Sequence, residues 1–380
     1  MRVLMFAPLI NAFGFRQASM LQRELRFVAA GLVTTTMAVA TSILSVAFAL
    51  AGLSYMSSAY ASLASSLIGV IGYTIAAPYH FSLRFTFKGW RKITRYGLEI
   101  MSISGVSLLS ARLSEVVLGR VLGITALGYY SRATTLANLM FDHVYGTATR
   151  IAFSKLARDF REREELRTSF LQALTLILAI MWPLEVGLAV LAKPAITIIF
   201  GEAWLPAATP LSILMIAQAV TLSFGMNWEL FVLRHETTRQ SKLEVKRALF
   251  GFAIFTVLCR FGLANAALGR LGDAIAGYFI YRKHVLRLAN ISSSEIGRVL
   301  LLNLVLTVCA AAPPFIMMMF YDWSAFPSTA ALVVSIFVGI MAWVCAAFVL
   351  KHPLLVELSK PVEKLSRTLA TAMKRRSKEL

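Results

Sequence analysis

Long apolar runs separated by short polar connectors are the dominant pattern of this chain. A membrane-spanning helix needs about 20 mostly apolar residues, and about ten runs approach or exceed that length. The seventh and eighth runs are interrupted by Arg260, Arg270 and Asp273. The pattern predicts an all-α membrane protein with about ten transmembrane helices. The predicted spans are 28–50, 56–77, 97–119, 126–149, 170–192, 208–233, 246–262, 264–281, 299–320 and 328–350.

The connectors between these runs alternate between a basic and a nearly uncharged type. The basic segments hold 31 of the 38 Lys and Arg residues. Because Lys and Arg are retained on the cytoplasmic side of membranes, the basic segments and the C-terminus are predicted to be cytoplasmic. The basic segments are Arg16–Arg26, Arg84–Arg95, Arg150–Arg167, Arg234–Arg247, Arg282–Arg298 and the tail from Lys351.

Composition supports a membrane location and excludes several other classes of protein. Hydrophobic residues make up 58% of the chain and charged residues 15%, whereas soluble domains carry roughly 25% charged residues. The net charge of +19 resides in the connectors rather than on one basic face, so we expect no nucleic-acid partner. The cysteines and histidines match no metal-ligand spacing, and no P-loop motif is present. We therefore expect no cofactor, no metal and no enzymatic activity.

Charged residues inside the third and fourth predicted spans are the candidate functional groups. Arg112 and Glu115 share a face of the third span, and Arg132, Asp142 and Arg150 share a face of the fourth. Charges at membrane depth are costly and normally face a cavity or a partner. Arginine suits a pyrophosphate because its planar fork donates paired hydrogen bonds. We predict substrate binding by Arg112, Arg132, Arg120 and Arg150, and ion coupling by Glu115 and Asp142.

Structural roles remain alternatives for the same residues. Arg112 and Glu115 are three residues apart on a helix, so they can simply neutralise each other. Arg120 and Arg150 lie near the ends of predicted spans, where long side chains reach the interface.

Three sequence strings carry a resemblance to a known family. They are Met20–Phe27 (MLQRELRF), Gly119–Gly123 (GRVLG) followed by Ala126–Ala133 (ALGYYSRA), and Gly201–Ala208 (GEAWLPAA). Together they resemble the Wzx-type flippases of the multidrug/oligosaccharidyl-lipid/polysaccharide exporter superfamily. The chain departs from the family pattern at Ser114 and Glu115, where the family usually has Asp and a polar residue, and at Ser154, where the family often has Pro.

The resemblance implies an incomplete two-bundle exporter fold. Family members typically have fourteen spans, of which the ten here match the fifth to the fourteenth, so we expect that this chain alone does not flip its substrate. The implied organisation is a remnant of the N-terminal helix bundle at 1–83, a C-terminal six-helix bundle at 84–298, two additional transmembrane helices at 299–350, and a basic cytoplasmic tail at 351–380.

The function implied by the resemblance is flipping or export of lipid-linked polysaccharide precursors across the bacterial inner membrane by alternating access. The implied partners are the lipid-linked oligosaccharide, membrane lipids, and polysaccharide polymerase and chain-length proteins. Three alternatives stay open: a multidrug or peptidoglycan-precursor exporter of the same superfamily, a non-transporting truncated remnant, and a membrane polysaccharide polymerase or ligase. The short neutral connectors weigh against the last, since such an enzyme would carry a sizeable periplasmic loop.

Overall fold

The structure is a computed structural model that describes residues 5–24, 26–78, 90–163, 166–320 and 329–355. Within these ranges the regular structure is helical, and the structure shows thirteen α-helices. They are α1 (Phe6–Arg23), α2 (Phe27–Phe48), α3 (Ser57–Ala76), α4 (Trp90–Met140), α5 (Gly146–Arg163), α6 (Arg167–Val190), α7 (Ala192–Phe200), α8 (Ala208–Leu222), α9 (Asn227–Leu233), α10 (Thr237–Cys259), α11 (Leu263–Ala289), α12 (Ser293–Phe320) and α13 (Thr329–Val349).

The chain divides into two compact units, Met1–Trp90 and Arg91–Leu380. In the first unit, α3 packs against both α2 and α1. Small residues bring α2 and α3 close together: the hydroxyl of Ser65 donates to the carbonyl of Met37 at 2.9 Å, and Gly72 lies against Val33. Hydroxyl bonds of this kind hold membrane helices together where apolar contacts alone give no preference over lipid.

α4 opens the second unit and contains the third predicted span and the first part of the fourth, which continues into α5. The sequence places a connector at 120–125, and the structure breaks α4 inside this segment, at Gly123, into two helical halves. A Cβ built on Gly119 would lie 3.2 Å from the side chain of Leu127, so the second half folds back on the first. Gly123 has φ 88° and ψ 169°, a conformation that a residue with a Cβ rarely adopts. A π-helical turn, Phe141–Tyr145, then joins α4 to α5.

Two apolar clusters form the core of the second unit. The first includes Phe170 and Trp182 of α6, Phe231 of α9 and Tyr281 of α11. The indole nitrogen of Trp182 donates to the carbonyl of Ala219 at 2.7 Å, which fixes α6 against α8. The second cluster packs α4, α7, α8, α10 and α11 around buried side chains that include Tyr130, Met215 and Phe255.

The sixth predicted span, 208–233, is divided in the structure into α8 and α9. The break lies at residues 223–226, where Met226 has a positive φ of 58°. The backbone N–H of Met226 donates to the hydroxyl of Tyr145 at 3.1 Å. This side-chain oxygen therefore satisfies a helix-terminal N–H that lacks a partner within the helix.

α10 and α11 form an antiparallel hairpin with a very close helix–helix contact. A Cβ built on Gly269 of α11 would lie 2.8 Å from the Cα of Phe255 in α10. A Cβ on Gly251 of α10 would lie 2.6 Å from a carboxylate oxygen of Asp273 in α11. Glycine at both positions is therefore what allows the two backbones to approach this closely.

α12 begins with a capping box and packs against α6 and α13. The N–H of Ser292 donates to the carboxylate of Glu295 at 2.9 Å, and the N–H of Glu295 donates back to the hydroxyl of Ser292 at 3.3 Å. At the far end of α13, the buried His352 accepts the N–H of Leu354 on Nδ1 at 3.2 Å. Leu354 itself belongs to a small apolar cluster with Ala179 and Leu306.

Six helical stretches in the described part of the chain are long and apolar enough to cross a membrane. They are Phe27–Leu53, Ser57–Ala76, Arg167–Val190, Glu202–Leu233, Ser293–Phe320 and Ala331–Val349. The other four predicted spans coincide with helical segments in α4, α10 and α11. The predicted all-α membrane fold is confirmed. The finer division at 84–298 and 299–350 stays a prediction, and the predicted basic tail falls almost wholly outside the described residues.

Candidate functional site

Arg112 and Glu115 are in direct contact on the first half of α4. Arg112 Nη1 lies 2.9 Å from Glu115 Oε2, and the side chains are 68% and 37% exposed. An exposed ion pair of this kind contributes about 0–1 kcal/mol to stability. The structure therefore contains the local ion pair that was the structural alternative for these two residues. Because this pair is weak, an anion could still bind Arg112 and a cation could still bind Glu115. Substrate binding by Arg112 and ion coupling by Glu115 stay predictions.

Arg132, on the second half of α4, is held by aromatic rings instead of a carboxylate. Its guanidinium carbon lies 5.4 Å from the ring centroid of Trp204 and 5.9 Å from that of Phe200. Tyr129 packs edge-on against Trp204, with ring centroids 5.8 Å apart. A ring face attracts the cation without using its N–H donors. Within the described ranges no carboxylate lies within ion-pair distance of Arg132, so its donors remain available to an anion.

The remaining predicted residues occupy three different environments. Arg120 is exposed on α4, three residues before the break at Gly123. Asp142 is exposed in the π-helical turn that follows α4. Arg150 is exposed on α5 and its Nε donates to the carbonyl of Gly146 at 2.9 Å. Substrate binding by Arg120 and Arg150 and ion coupling by Asp142 stay predictions.

The sequence analysis missed a buried polar network that joins α4, α10 and α11. Arg247 Nη2 donates to Glu244 Oε1 at 2.6 Å, and Arg247 Nη1 lies 3.6 Å from Asp273 Oδ2. The hydroxyl of Tyr281 donates to Glu244 Oε2 at 2.7 Å, and the hydroxyl of Ser107 donates to Glu244 Oε1. One cation thus faces two carboxylates on α10 and α11, and the hydroxyl of Ser107 extends the network to α4.

The sequence contains one sign of this network, Asp273, but two other members were assigned to a solvated connector. Glu244 and Arg247 were assigned to the basic connector 234–247, where a solvated face is the ordinary expectation. In the structure their side chains are only 9% and 19% exposed. Asp273, which interrupts the eighth predicted span, is the visible clue, because a charge at membrane depth requires a partner.

Glu185 of α6 is a second buried acidic group, and it has no partner among the described residues. Its side chain is fully buried, and neither carboxylate oxygen has a hydrogen-bond partner there. It follows Pro183, which lies inside α6. A carboxyl group in this setting pays the full cost of desolvation when ionised. Within the described residues no group of three His, Cys, Asp or Glu side chains is arranged to hold a metal ion.

An apolar cavity of about 430 Å³ lies beside α4 among α6, α7, α12 and α13. Its lining is contributed by Leu136 of α4, Ile199 of α7 and twelve other residues, almost all of them apolar. Leu136 lies one helical turn from Arg132, and Ile199 directly precedes Phe200. The exposed guanidinium of Arg132 therefore lies next to the apolar cavity in two ways: along α4, through Leu136, and at the end of α7, where Arg132 contacts the ring of Phe200.

Comparison with known proteins places these features in a family. A profile of the family described as polysaccharide biosynthesis protein matches residues 1–209, more than half of the chain. The chain is 25% identical over 232 residues to the teichuronic acid biosynthesis protein TuaB of Bacillus subtilis, which is 60% of this chain and 47% of that protein. It is 26% identical over 205 residues to the lipopolysaccharide biosynthesis protein WzxC of Escherichia coli, which is 53% of this chain and 42% of that protein.

A solved structure shows a similar fold over a longer stretch. The lipid II flippase MurJ, in an inward closed conformation, aligns with a TM-score of 0.69 at 14% sequence identity. The alignment covers 93% of this chain and 73% of that chain. The chain spans less than half the length of the two curated relatives named above. The profile match over residues 1–209 establishes that the chain is a member of the polysaccharide biosynthesis protein family of membrane proteins.

Proposed function

We propose that this chain takes part in flipping lipid-linked polysaccharide precursors across the bacterial inner membrane. The observation that carries the proposal is the adjacency of Arg132 and the apolar cavity. Arg132 offers unpaired donors to an anion, and Leu136, one turn along α4, lines a cavity suited to a hydrocarbon chain. A lipid-linked sugar combines these two chemistries, since an anionic phosphate group joins its apolar chain to its glycan.

The family supports the proposal independently of the geometry. The family is described as polysaccharide biosynthesis protein, and a further relative, from Rhizobium meliloti, is a succinoglycan biosynthesis transport protein, 22% identical over 41% of this chain and 32% of that protein. The fold shared with MurJ is compatible with the same movement of a lipid-linked substrate. Transport requires no covalent chemistry, so the proposed activity is non-enzymatic.

The proposed orientation places the basic connectors and the C-terminus in the cytoplasm. The support is the concentration of 31 of 38 Lys and Arg residues in alternate connectors. The anionic group of the substrate would then meet Arg132 and the weakly paired Arg112 along α4, with Arg120 and Arg150 nearer the interface. Glu115 and Asp142 remain the proposed ion-coupling groups, and a polysaccharide polymerase and chain-length proteins remain proposed partners.

The test is a flipping assay in proteoliposomes with a fluorescent polyprenyl-pyrophosphate oligosaccharide. Arg132→Ala should slow flipping by about tenfold or more, since hydrogen bonds to a charged group are worth about 1.5–3 kcal/mol. Arg132→Lys should restore part of the rate, because lysine keeps the charge and loses the paired donors. Arg161→Ala is the matched control, since Arg161 is exposed on α5 and its Nε bonds only a carbonyl of its own helix.

Three outcomes of this assay bear on the proposal. Flipping of the oligosaccharide at the same rate by the parent protein and by Arg132→Ala would refute the role of Arg132. A parallel arm with lipid II distinguishes the peptidoglycan-precursor alternative, because a lipid II exporter would move that substrate in preference to the polysaccharide precursor. Absence of flipping with both lipids would reject only transport by this chain alone, as its ten predicted spans lead us to expect. Arg132→Ala is then compared with the parent in a version extended to fourteen spans, where equal rates again refute the role of Arg132.

A further inference from the structure

The outward face of α11 changes abruptly from apolar to basic near residue 280. Ile275 and Phe279 are exposed, the latter to 66%. The following turns of the same helix carry Arg282, Lys283 and Arg287. Exposed apolar side chains of a membrane helix face hydrocarbon, and Lys and Arg extend toward the headgroups. The change of character therefore locates the boundary between acyl chains and headgroups on α11.

The neighbouring helix α10 shows the same change at the same end of the hairpin. Lys242 and Lys246 are exposed, and the next exposed side chains toward the turn at Gly262 are Leu249 and Phe250. Because α10 and α11 are antiparallel partners, these lysines lie at the end of the hairpin that also carries the basic part of α11. The two helices thus define one headgroup-level surface.

A pocket of about 540 Å³ lies at this boundary on α11. It is lined by Phe279, Arg282, Lys283, Leu286, Arg287 and Ile291. Three of the lining residues are cationic and three are apolar. A soluble anion would use only the first three, whereas an amphipathic ligand uses the whole lining.

Two of the three cations of the pocket, Arg282 and Lys283, are not neutralised by an acidic group among the described residues. Glu236 contacts Arg287 and also Arg239. Arg282 lies over the ring of Tyr278 at 5.9 Å. In the described part of the chain no carboxylate lies within ion-pair distance of Arg282 or Lys283.

His284 reports the same positive potential. Its pKa is lowered by burial and by the nearby Arg239 and Arg287.

The helix dipole explains only part of this cluster of cations. The negative end of the α11 dipole favours a cation in the last turn of the helix, such as Arg287, and its effect falls off within one turn. It does not account for Arg282 and Lys283, which lie farther from the end of the helix at Ala289.

We propose that this pocket binds an anionic phospholipid, with its phosphate between Arg282 and Lys283 and the start of an acyl chain along Phe279 toward Ile275. The proposal goes beyond the transport function and does not depend on it. The lipid would anchor the α10–α11 hairpin at a fixed depth, since the phosphate is held at headgroup level. Basic pockets at the ends of membrane helices have this chemistry in general.

The test is native mass spectrometry of the purified protein titrated with dioleoyl phosphatidylglycerol or dioleoyl phosphatidylcholine. The protein should retain at least one phosphatidylglycerol in preference to phosphatidylcholine. The double variant Arg282→Gln, Lys283→Gln should weaken the tightest phosphatidylglycerol binding by about 30-fold, from about fivefold for each basic residue. The matched control is Arg158→Gln, Arg161→Gln on α5, where both side chains are exposed, and it should bind as the parent does.

Three results would overturn the proposal. Equal retention of the two lipids would show that the phosphate charge is not recognised. Equal weakening in the double variant and its α5 control would show that binding follows net charge and not the pocket. Displacement of the lipid by millimolar inorganic phosphate would assign the pocket to a soluble anion. If the double variant misfolds, Lys283→Gln alone, at an exposed side chain, gives the same test with a smaller loss.

Discussion

Gly269→Ala tests the packing of α10 against α11 most directly. The added methyl group would lie 2.8 Å from the Cα and 3.2 Å from the nitrogen of Phe255. Both are backbone atoms that cannot rotate away, so the helices must separate by about 0.6 Å to reach ordinary contact at 3.4 Å. Overpacking of this kind costs about 1–3 kcal/mol, and we take the upper end. Alanine has a higher helix propensity than glycine by about 1 kcal/mol. The free energy of unfolding should therefore fall by about 2 kcal/mol in total.

Gly297→Ala in α12 is the matched control, because a Cβ there meets nothing within 4 Å. It should gain up to about 1 kcal/mol from helix propensity alone. At about 2 °C per kcal/mol for a large chain, Gly269→Ala should lower the Tm by about 4 °C and Gly297→Ala should raise it by about 2 °C. A Tm for Gly269→Ala equal to or above that of Gly297→Ala would refute the close contact.

A thiol-reactive fluorophore measures these Tm values in detergent. The thiol of Cys259, at the end of α10, is buried and becomes reactive when the hairpin opens. The exposed Cys345 and the partly exposed Cys309 would react before unfolding, so the series is made in a Cys309→Ser, Cys345→Ser background.

Three further predictions concern the network, the end of α13 and the orientation. Glu244→Gln should lower the free energy of unfolding by about 3 kcal/mol, because Arg247 stays largely buried without its main partner. The double variant Glu244→Gln, Arg247→Met should lose less stability than the sum of the two single variants, and additive losses would contradict the network. Burial lowers the pKa of His352, so its neutral form stabilises the fold above the usual His pKa near 6.5, and that stability is lost as the pH falls through the lowered value. Hydrogen exchange at residues 347–355 should therefore accelerate on acidification, beyond the intrinsic pH effect, in the parent and not in His352→Gln. Reporter fusions should show cytoplasmic activity after each of four residues, Lys92, Arg161, Lys242 and Lys374. Periplasmic activity at two or more of these positions would reject the proposed orientation.

The fold class followed from the sequence because each membrane helix carries its own signal. All ten apolar runs coincide with helices, since the length and apolarity of a span are local properties. The break in α4 at Gly123 falls inside the predicted connector 120–125, and the glycine itself is a local signal for it. The break at Met226 was harder to predict. The turn at Met226 depends on the hydroxyl of Tyr145, which is 81 residues away in the chain.

The candidate site was also predictable only in part, because some of its contacts join residues that are far apart in the sequence. The contact between Arg112 and Glu115 follows from their helical spacing, and the structure contains it. The placement of Arg132 against Phe200 and Trp204 requires α7 and the turn after it to fold onto α4. No local pattern reports such a contact.

The hairpin of α10 and α11 has a consequence for how the protein enters the membrane during synthesis. Neither helix is among the six stretches apolar enough to cross by composition, and a lone Asp near the bilayer centre, as Asp273 would be, costs about 2.5–3.5 kcal/mol on insertion scales. Asp273 and Arg247 lie on different helices and face each other across the interface. We therefore expect the first helix to wait at the translocation channel until the second emerges, so that the two enter the lipid as a pair whose opposite charges are already joined.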